Sequence, residues 1–264
     1  MLNIIKKIHQ RSIDITLPQR FVFHHVPKCG GTSVGRALRK RYLLSQGTVK
    51  PDESFWAYES INGNYKKDQM LIDVAAFREQ LFLYLLYDDV RGIALHVPFS
   101  DIAYEKFSHK YKFITVLREP VSRFISHYFW SYMRLNDHAR IEEELDQFLE
   151  TPRARRMGAS YVEYYSGQPT APDLSEPHLI EKSISNLQNR FALVGNLDDL
   201  TNFRRQLKKQ IGVRVRFGRE NNSKPIQQEV TGTVMSTLRE RLNEVCAPDI
   251  AVWRSVFGDN GRLG

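Results

Sequence analysis

The sequence predicts a three-layer α/β fold, with a central parallel β-sheet and helices on both faces. Three observations support this prediction. Short apolar segments alternate with amphipathic helical segments and are joined by short connections. The segment Lys112–Leu117 is apolar on both faces, which is typical of a parallel strand covered by helices. A glycine-containing loop over residues 27–33 lies between the first apolar segment and a helical one.

The composition is that of one large globular domain, and we expect residues 1–264 to form a single unit. The net charge of +8 indicates an anionic partner: nucleic acid, a phosphorylated cofactor, an acidic polysaccharide or a membrane surface. Two cysteines do not form a disulfide framework and favour a reducing compartment. Residues 1–8 are too short and charged for a secretory signal, and no apolar run approaches the roughly 20 residues of a spanning helix. We therefore expect a soluble, cytoplasmic protein.

The N-terminal half contains three predicted strands, each an apolar run too short for a helix. Between the first two, Val34, Leu38 and Tyr42 form a helical stripe, whereas residues 45–69 have no clear period and are predicted to be loop-rich. Residues 45–90 as a whole are expected to lie on the substrate side. In chain order we expect a strand at 21–26, a helix through 34–42, a helix at 70–87, a strand at 93–97, a helix at 101–110 capped by Ser100, and a strand at 112–117.

The C-terminal half begins with the clearest helical periodicity in the chain. Apolar residues recur at three- and four-residue intervals after Pro120, from Val121 to Leu135. The proline-containing segment 167–177 is predicted to be a loop, within a second substrate-side region at 150–178. Further on, we expect a helix at 141–150, a helix at 179–190, a strand at 191–195, a helix capped by Asp198-Asp199, a candidate fifth strand at 213–217, and two final helices, the first striped by Val234, Leu238, Leu242 and Val245.

The loop at 27–33 has the features of a phosphate-binding site. Its glycines and the pair Thr32-Ser33 present backbone N–H groups and hydroxyls at a helix N-terminus, where the helix dipole favours an anion. Lys28 adds a full positive charge. A Walker A loop places its lysine after the last glycine, whereas Lys28 precedes both Gly30 and Gly31. This order argues against an ordinary nucleoside triphosphate loop.

Two other polar residues also follow predicted strands. His96 ends the second strand, and Arg118 comes directly after the third. Ligands of open parallel sheets bind beyond the carboxyl ends of the strands. We therefore expect Lys28, His96 and Arg118 to meet in one crevice.

Two motifs resemble those of sulfotransferases that use 3′-phosphoadenosine-5′-phosphosulfate (PAPS), especially the carbohydrate-modifying, family 2-like branch. Residues 27–33, Pro-Lys-Cys-Gly-Gly-Thr-Ser, are similar to the 5′-phosphosulfate loop of that family. Residues 118–128, in which Ser126 follows Arg118 by eight positions, are similar to its 3′-phosphate motif. The resemblance extends over about residues 20–225 and includes residues 95–99, 191–195 and, as a short match to a late cofactor loop, 221–224.

The resemblance implies a P-loop-like sulfotransferase fold and transfer of a sulfuryl group from PAPS to an acceptor hydroxyl, without a metal. It implies that Lys28 stabilises the leaving phosphate and that His96 is the base. It also implies the cofactor-binding set Lys28, Cys29, Gly30, Gly31, Thr32, Ser33, Arg118 and Ser126.

Other titratable residues near these motifs have more ordinary interpretations. His24 and His25 lie inside the first predicted strand, which favours the core or a supporting role behind the site. His127 is predicted on a helix surface. Cys29 is interpreted as a small residue that presents its backbone, and Arg123 as a phosphate ligand, a salt-bridge partner or part of a solvated face. His96 itself has the alternative of a satisfied core histidine.

Several functional alternatives remain open from the sequence. A P-loop kinase would have the same type of α/β fold. A nucleic-acid-binding module would account for the positive net charge. A non-catalytic protein that binds an anionic ligand would also have this fold. We expect no nucleic-acid partner. The acceptor is predicted to be a saccharide or another hydroxyl-bearing molecule, and the oligomeric state is left open. Arg153, Arg155 and Arg156 would suit an acidic glycan or a solvated surface equally well.

Overall fold

The computed structural model describes residues 15, 18–43, 45–63, 67–133, 139–217 and 238–258, apart from the side chains of residues 67, 68 and 71. In these ranges, five parallel strands form one sheet in the order β2-β3-β1-β4-β5. Val22 at the centre pairs with Ile93 on one side and Phe113 on the other. The strands are β1 (Phe21–His24), β2 (Gln46–Gly47), β3 (Gly92–Leu95), β4 (Lys112–Leu117) and β5 (Leu193–Asn196).

Helices fill most of the sequence between the strands. Five of them have a proline in their first turn, where its missing N–H costs no hydrogen bond. A 3₁₀ turn and a π-helical turn flank α10, at Leu197–Asp199 and Leu207–Ile211. The helices are α1 (Gly31–Arg41), α2 (Pro51–Asn62), α3 (Lys67–Tyr87), α4 (Asp101–Phe107), α5 (Pro120–Tyr132), α6 (Leu145–Phe148), α7 (Pro152–Gly158), α8 (Ser160–Tyr165), α9 (Pro177–Asn189), α10 (Leu200–Gln206), α11 (Arg239–Val245) and α12 (Ala247–Phe257).

Alternate residues of the central strand pack into two different cores. Phe21 and Phe23 lie in a cluster with Val34 of α1 and Phe203 of α10. Val22 points to the opposite face, where the cluster includes residues of α3, α8, α9 and α12. Because successive side chains of a strand point to opposite faces, this division places helices on both sides of the sheet. The predicted three-layer α/β fold is confirmed.

The segment 45–69 differs from the sequence expectation of a loop-rich region. It contains the edge strand β2 and the three-turn helix α2. Pro51 in the first turn, followed by Asp52 and Glu53, favours the start of a helix. Of this helix only Ser54 and Phe55 are buried, so most of its surface is solvated and no apolar period marks it.

The structure also differs from the prediction at residues 213–217 and 141–150. Residues 213–217 alternate between buried and more exposed positions, as a strand would, but they have no strand partner in the described part of the chain. Val213 and Val215 instead pack on Phe203 and Ile211 at the side of the sheet. The helix expected at 141–150 is restricted to the four residues of α6. Val234 and Leu135, assigned to helical stripes, lie outside the described residues.

Candidate active site

The carboxyl ends of β3, β1 and β4 are adjacent, and a cleft of about 2330 Å³ opens there. Eight of the nine sequence-predicted site residues line this cleft. Cys29 is the exception, because its side chain is buried beneath the loop. The eight that line the cleft are Lys28, Gly30, Gly31, Thr32, Ser33, His96, Arg118 and Ser126.

The loop that follows β1 presents an open helix N-terminus. Lys28 and Gly30 both have left-handed backbone conformations, with φ of 69° and 70°. Such a conformation is uncommon for a residue with a side chain, and its cost at Lys28 must be offset by the surrounding packing. Within the described chain, no side chain caps α1 and no acidic residue occupies its first turn. Its first N–H groups therefore remain available to an anion.

The Lys28 ammonium lies in the cleft beside an aromatic ring. Its Nζ is 5.4 Å from the ring centroid of Trp130, a residue of α5 that is 40% exposed. A cation over an indole face is attracted to the ring, by about 0.5–1 kcal/mol at exposed sites. This attraction is weaker than a charge-assisted hydrogen bond, so by itself it would not keep Lys28 from binding a phosphate oxygen.

Arg118 and Ser126 come from the connection after β4 and from α5. Glu119 caps that helix by accepting hydrogen bonds from the backbone N–H groups of Val121 and Ser122, at 3.0 and 2.7 Å. The cap fixes the direction of α5, so that Ser126, two turns along, faces the same cleft as Arg118. Arg118 Nη1 also lies 3.5 Å from the carbonyl oxygen of Lys28. The two motifs recognised in the sequence therefore touch each other.

Tyr161 is a contributor to this site that the sequence did not single out. Its hydroxyl accepts the N–H of Arg118 at 2.9 Å, donates to the Arg118 carbonyl, and lies 3.5 Å from Cys29 Sγ. Burial raises the pKa of Tyr161 well above its ordinary value, and burial likewise raises the pKa of the Cys29 thiol. Both groups stay protonated at neutral pH. The Cys29 side chain is fully buried under the loop, and the prediction that this residue presents its backbone to a ligand stays a prediction.

The backbone of Tyr161 is held by a buried ion pair. Asp249 accepts the N–H of Tyr161 at 2.7 Å, and its other carboxylate oxygen lies 3.4 Å from Arg123 Nη2. Arg123 and Asp249 are both fully buried. Of the roles considered for Arg123, the structure shows the salt bridge.

Three histidines line the cleft. His96 follows β3, and its Nε2 lies 2.8 Å from Nδ1 of His25. Burial, with a smaller contribution from Arg78, lowers the pKa of His96 to about 4. Burial also lowers the pKa of His25 and of His127 well below the ordinary value. All three are therefore neutral at pH 7, and each neutral ring has one unprotonated nitrogen.

The placement of His127 corrects the sequence expectation. This residue was predicted on a helix surface, but its Nδ1 is buried and the residue faces the cleft. A helical position alone does not reveal which neighbouring segment covers a side chain, so the burial of His127 has no signal in the sequence. His24 is fully buried, as expected, and its Nδ1 bonds the carbonyl oxygen of Val97.

The two regions expected on the substrate side both reach the cleft. Asp52, Ile72 and Arg78 come from residues 45–90, and Glu163 and Tyr164 come from residues 150–178. Arg78 bonds the hydroxyl of Ser54 at 2.7 Å, which holds its guanidinium at the cleft wall near His96. The expected late cofactor loop at 221–224 lies outside the described residues.

The three arginines of α7 also line the cleft, and each donates a local hydrogen bond. Arg153 donates to the carbonyl oxygens of residues 139 and 140 at 2.6 and 2.7 Å. Arg155 donates to the carbonyl oxygen of Glu150, and Arg156 lies 2.9 Å from Glu163 Oε1. These hydrogen bonds hold the three guanidinium groups at the wall of the cleft, and the ion pair with Glu163 neutralises part of their charge.

The profile of the sulfotransferase family matches residues 11–252, which is most of the sequence. This chain belongs to the sulfotransferase family. A search of curated proteins found no match. Among solved structures, the chain is similar to a sulfotransferase from Alicyclobacillus acidocaldarius, at 16% identity and a TM-score of 0.39, over 89% of this chain and 99% of the other.

Two further observations describe this sulfotransferase. No group of three or more His, Cys, Asp or Glu side chains at metal-binding distance occurs among the residues that the structure describes. In the same residues, no helix is long and apolar enough to cross a membrane.

Proposed function

We propose that this sulfotransferase moves the sulfuryl group of PAPS to an acceptor hydroxyl, with a carbohydrate as the acceptor. The observation that carries the proposal is the contact between two sets of anion-binding groups in one cleft, with Arg118 Nη1 at 3.5 Å from the Lys28 carbonyl. PAPS carries anionic groups at both its 5′ and 3′ positions. One set of donors alone would suit many phosphates, whereas two adjoining sets suit a nucleotide with charge at both ends.

The residues present fit each end of PAPS. The uncapped N-terminus of α1, with Gly30, Gly31, Thr32 and Ser33, would hold the 5′-phosphosulfate. Arg118 and Ser126 would hold the 3′-phosphate, since a guanidinium binds phosphate through two parallel hydrogen bonds and a serine hydroxyl adds a third. When bound, PAPS supplies an activated sulfuryl group.

The remaining chemistry falls to Lys28 and His96. Lys28, on the loop at the carboxyl end of β1, would neutralise the charge that develops on the leaving phosphate. His96 would accept the proton of the acceptor hydroxyl, and the electron pair of that O–H bond would stay on the oxygen that attacks sulfur. Transfer requires the two oxygens to lie in line across the sulfur, which the closely placed loops favour by fixing the groups on either side.

The wall beyond His96 supports a polyhydroxyl acceptor. Arg78, Glu163 and Tyr164 provide hydrogen-bond donors and acceptors there, and the Arg156–Glu163 ion pair balances part of the local charge. We also propose a cytoplasmic location, which the free, buried thiols of Cys29 and Cys246 support.

Thermal unfolding with different nucleotides tests the donor assignment. Adenosine 3′,5′-bisphosphate at 100 times its dissociation constant stabilises a protein by about 2.7 kcal/mol. For a chain of this size that is a rise in Tm of roughly 5–10 °C. We expect this rise in the wild type and its loss in Lys28→Ala/Arg118→Ala. A larger rise with ATP and magnesium would favour a kinase, and one with an oligonucleotide would favour a nucleic-acid-binding protein; either would reject the proposal. A screen of saccharides, lipid-linked sugars and small metabolites with labelled PAPS then identifies the acceptor class.

A further inference from the structure

The imidazole rings of His25 and His96 are joined by a direct hydrogen bond across two neighbouring strands. His25 Nδ1 and His96 Nε2 are 2.8 Å apart, and the ring centroids are 4.1 Å apart. The other two nitrogens, His25 Nε2 and His96 Nδ1, are buried and have no hydrogen-bond partner among the described residues. Each residue lines the cleft. Because the inner nitrogens bond each other, any bond from this pair to a substrate would have to be made by an outer nitrogen.

The outer nitrogen of His25 lies against the phosphate loop. A Cβ atom on Gly31, the first residue of α1, would be 1.8 Å from His25 Nε2. The ring edge therefore rests on the backbone of the helix N-terminus, and it is kept parallel to the ring of Phe23, at an interplanar angle of 14°. The His25–His96 pair therefore connects the predicted anion-binding loop to His96, the predicted base.

A hydrogen bond between two neutral imidazoles couples their tautomers. The pair carries two protons, one of which must lie between the rings. If His96 Nε2 donates, His25 Nδ1 accepts, and the second proton is on His25 Nε2. If His25 Nδ1 donates, the second proton is on His96 Nδ1. Both rings are thus Nε2–H tautomers or both are Nδ1–H tautomers.

Only the first arrangement leaves His96 able to act as a base. With both rings as Nε2–H tautomers, His96 Nδ1 has a free lone pair and His25 Nε2 presents an N–H beside Gly31. An anion at that helix N-terminus favours an N–H donor over a lone pair. The positive groups that face the pair are Lys28, Arg39 and Arg78, with neutral His127 nearby.

We propose that His25 is a positioning residue that sets the tautomer of His96, and that an anionic group at Gly31 selects the tautomer in which His96 Nδ1 accepts the acceptor's proton. This inference rests on the proposed function. It makes His96 a competent base when the sulfuryl donor occupies the loop, so that donor binding prepares the site for the acceptor.

Nitrogen-15 NMR of histidine-labelled protein tests the pairing without any turnover. At pH 7 we expect His25 and His96 to have the same tautomer, and both to be Nε2–H tautomers when adenosine 3′,5′-bisphosphate is bound. His24, whose Nδ1 bonds the Val97 carbonyl, provides an internal reference that should not follow the pair. Opposite tautomers of His25 and His96, or Nδ1–H tautomers in the bound state, would overturn the inference.

Two substitutions of His25 separate positioning from structural support. In His25→Phe the ring is kept and the hydrogen bond is lost, and we expect kcat to fall by about 10²-fold with unchanged affinity for adenosine 3′,5′-bisphosphate. In His25→Asn the Oδ1 atom takes the place of Nδ1 and accepts from His96 Nε2, so a large part of kcat should return. The exposed His178→Asn is the control. An unchanged kcat in His25→Phe, or equal losses of kcat in His25→Phe and His25→Asn, would contradict the positioning role of His25.

A wild-type protein that neither binds the nucleotide nor transfers sulfuryl groups would instead reject the proposed function. The NMR measurement without nucleotide would still show whether His25 and His96 have the same tautomer.

Discussion

The hydroxyl of Tyr161 lies 2.9 Å from the backbone nitrogen of Arg118, and the same oxygen is 3.5 Å from Cys29 Sγ. One phenol thus links the loop after β1 to the loop after β4. The two loops are ninety residues apart in the sequence, and each carries one of the predicted anion-binding sets. Their relative position therefore depends on a side chain from α8 that belongs to neither motif.

Tyr161→Phe removes this link while keeping the ring. We expect a loss of stability of about 1–3 kcal/mol, because the Arg118 N–H and carbonyl lose a buried partner. We also expect weaker binding of adenosine 3′,5′-bisphosphate, measured by calorimetry. Tyr165→Phe is the matched control, since Tyr165 is on the same helix, is equally buried, and bonds Thr115 Oγ1 at 2.7 Å away from both loops. It should lose stability with unchanged affinity; equal losses of affinity in both variants would contradict the linking role.

Arg118→Ala should abolish the preference for a 3′-phosphate. A hydrogen bond to a charged group contributes about 1.5–3 kcal/mol, so we expect affinity for adenosine 3′,5′-bisphosphate to fall roughly tenfold to hundredfold. Affinity for adenosine 5′-phosphate, which lacks the 3′ group, should change much less. Arg36→Ala, at an exposed position of α1, controls for the loss of one positive charge. A parallel loss for both nucleotides would assign Arg118 to a different part of the ligand.

His96→Ala should separate turnover from binding. Removal of a general base lowers kcat by about 10²–10⁴-fold, and we expect that loss with an unchanged rise in Tm on adding adenosine 3′,5′-bisphosphate. Turnover is measured with labelled PAPS and the acceptor that the screen identifies. An unchanged kcat would remove His96 from the mechanism and return it to the core histidines.

Gly31→Ala should damage the site through His25. The new Cβ would lie 1.8 Å from the imidazole, which the rigid packing around β1 cannot clear without moving the ring. We expect lower Tm and loss of sulfuryl transfer. Gly35→Ala, one turn along the same helix, is the control. Its Cβ would meet Arg39 Nη1 at 3.1 Å, the end of a flexible side chain, and alanine is favoured over glycine in helices by about 1 kcal/mol. Wild-type activity and Tm in Gly31→Ala would show that the ring has room to move.

Asp89, which does not line the cleft, makes the stability of the protein depend on pH. Burial acts to raise its pKa, but hydrogen bonds from Arg20 and Lys110 lower it to about 2. Because the folded pKa lies below the unfolded value of about 3.9, the contribution is present above pH 4 and is lost as the pH falls to 2. Asp89→Asn keeps a residue that tolerates the observed φ of 57° and removes the charge.

Urea unfolding measures this contribution. We expect the variant to be less stable by about 1 kcal/mol at pH 7, since the ion pair is partly exposed, and to show a smaller loss between pH 5 and 2. Glu181→Gln, which removes one carboxylate at an exposed position of α9, should leave that pH dependence unchanged. Parallel pH curves for the wild type and Asp89→Asn would exclude Asp89 as the source.

Much of the fold was predictable because its signals are local. The strand Lys112–Leu117 was predicted to the residue, since an apolar, β-branched run between a charged segment and a proline has few alternatives. Helix α2 was missed because only Ser54 and Phe55 are buried, and a solvated helix has no apolar period. The alternation at 213–217 was real, but it arises from packing on Phe203 and Ile211 rather than from strand pairing.

The sequence by itself determined the two motifs predicted to bind anions, the order of Lys28 before Gly30 and Gly31, and the parallel strands that carry them. Those features depend on neighbours along the chain, where backbone geometry and apolar period leave a direct pattern. Only the tertiary structure decided that Tyr161 links Cys29 to Arg118, that His127 faces the cleft, and that His25 bonds His96. Each of these depends on side chains from separate elements, and the sheet order that brings the elements together is not encoded in any single segment.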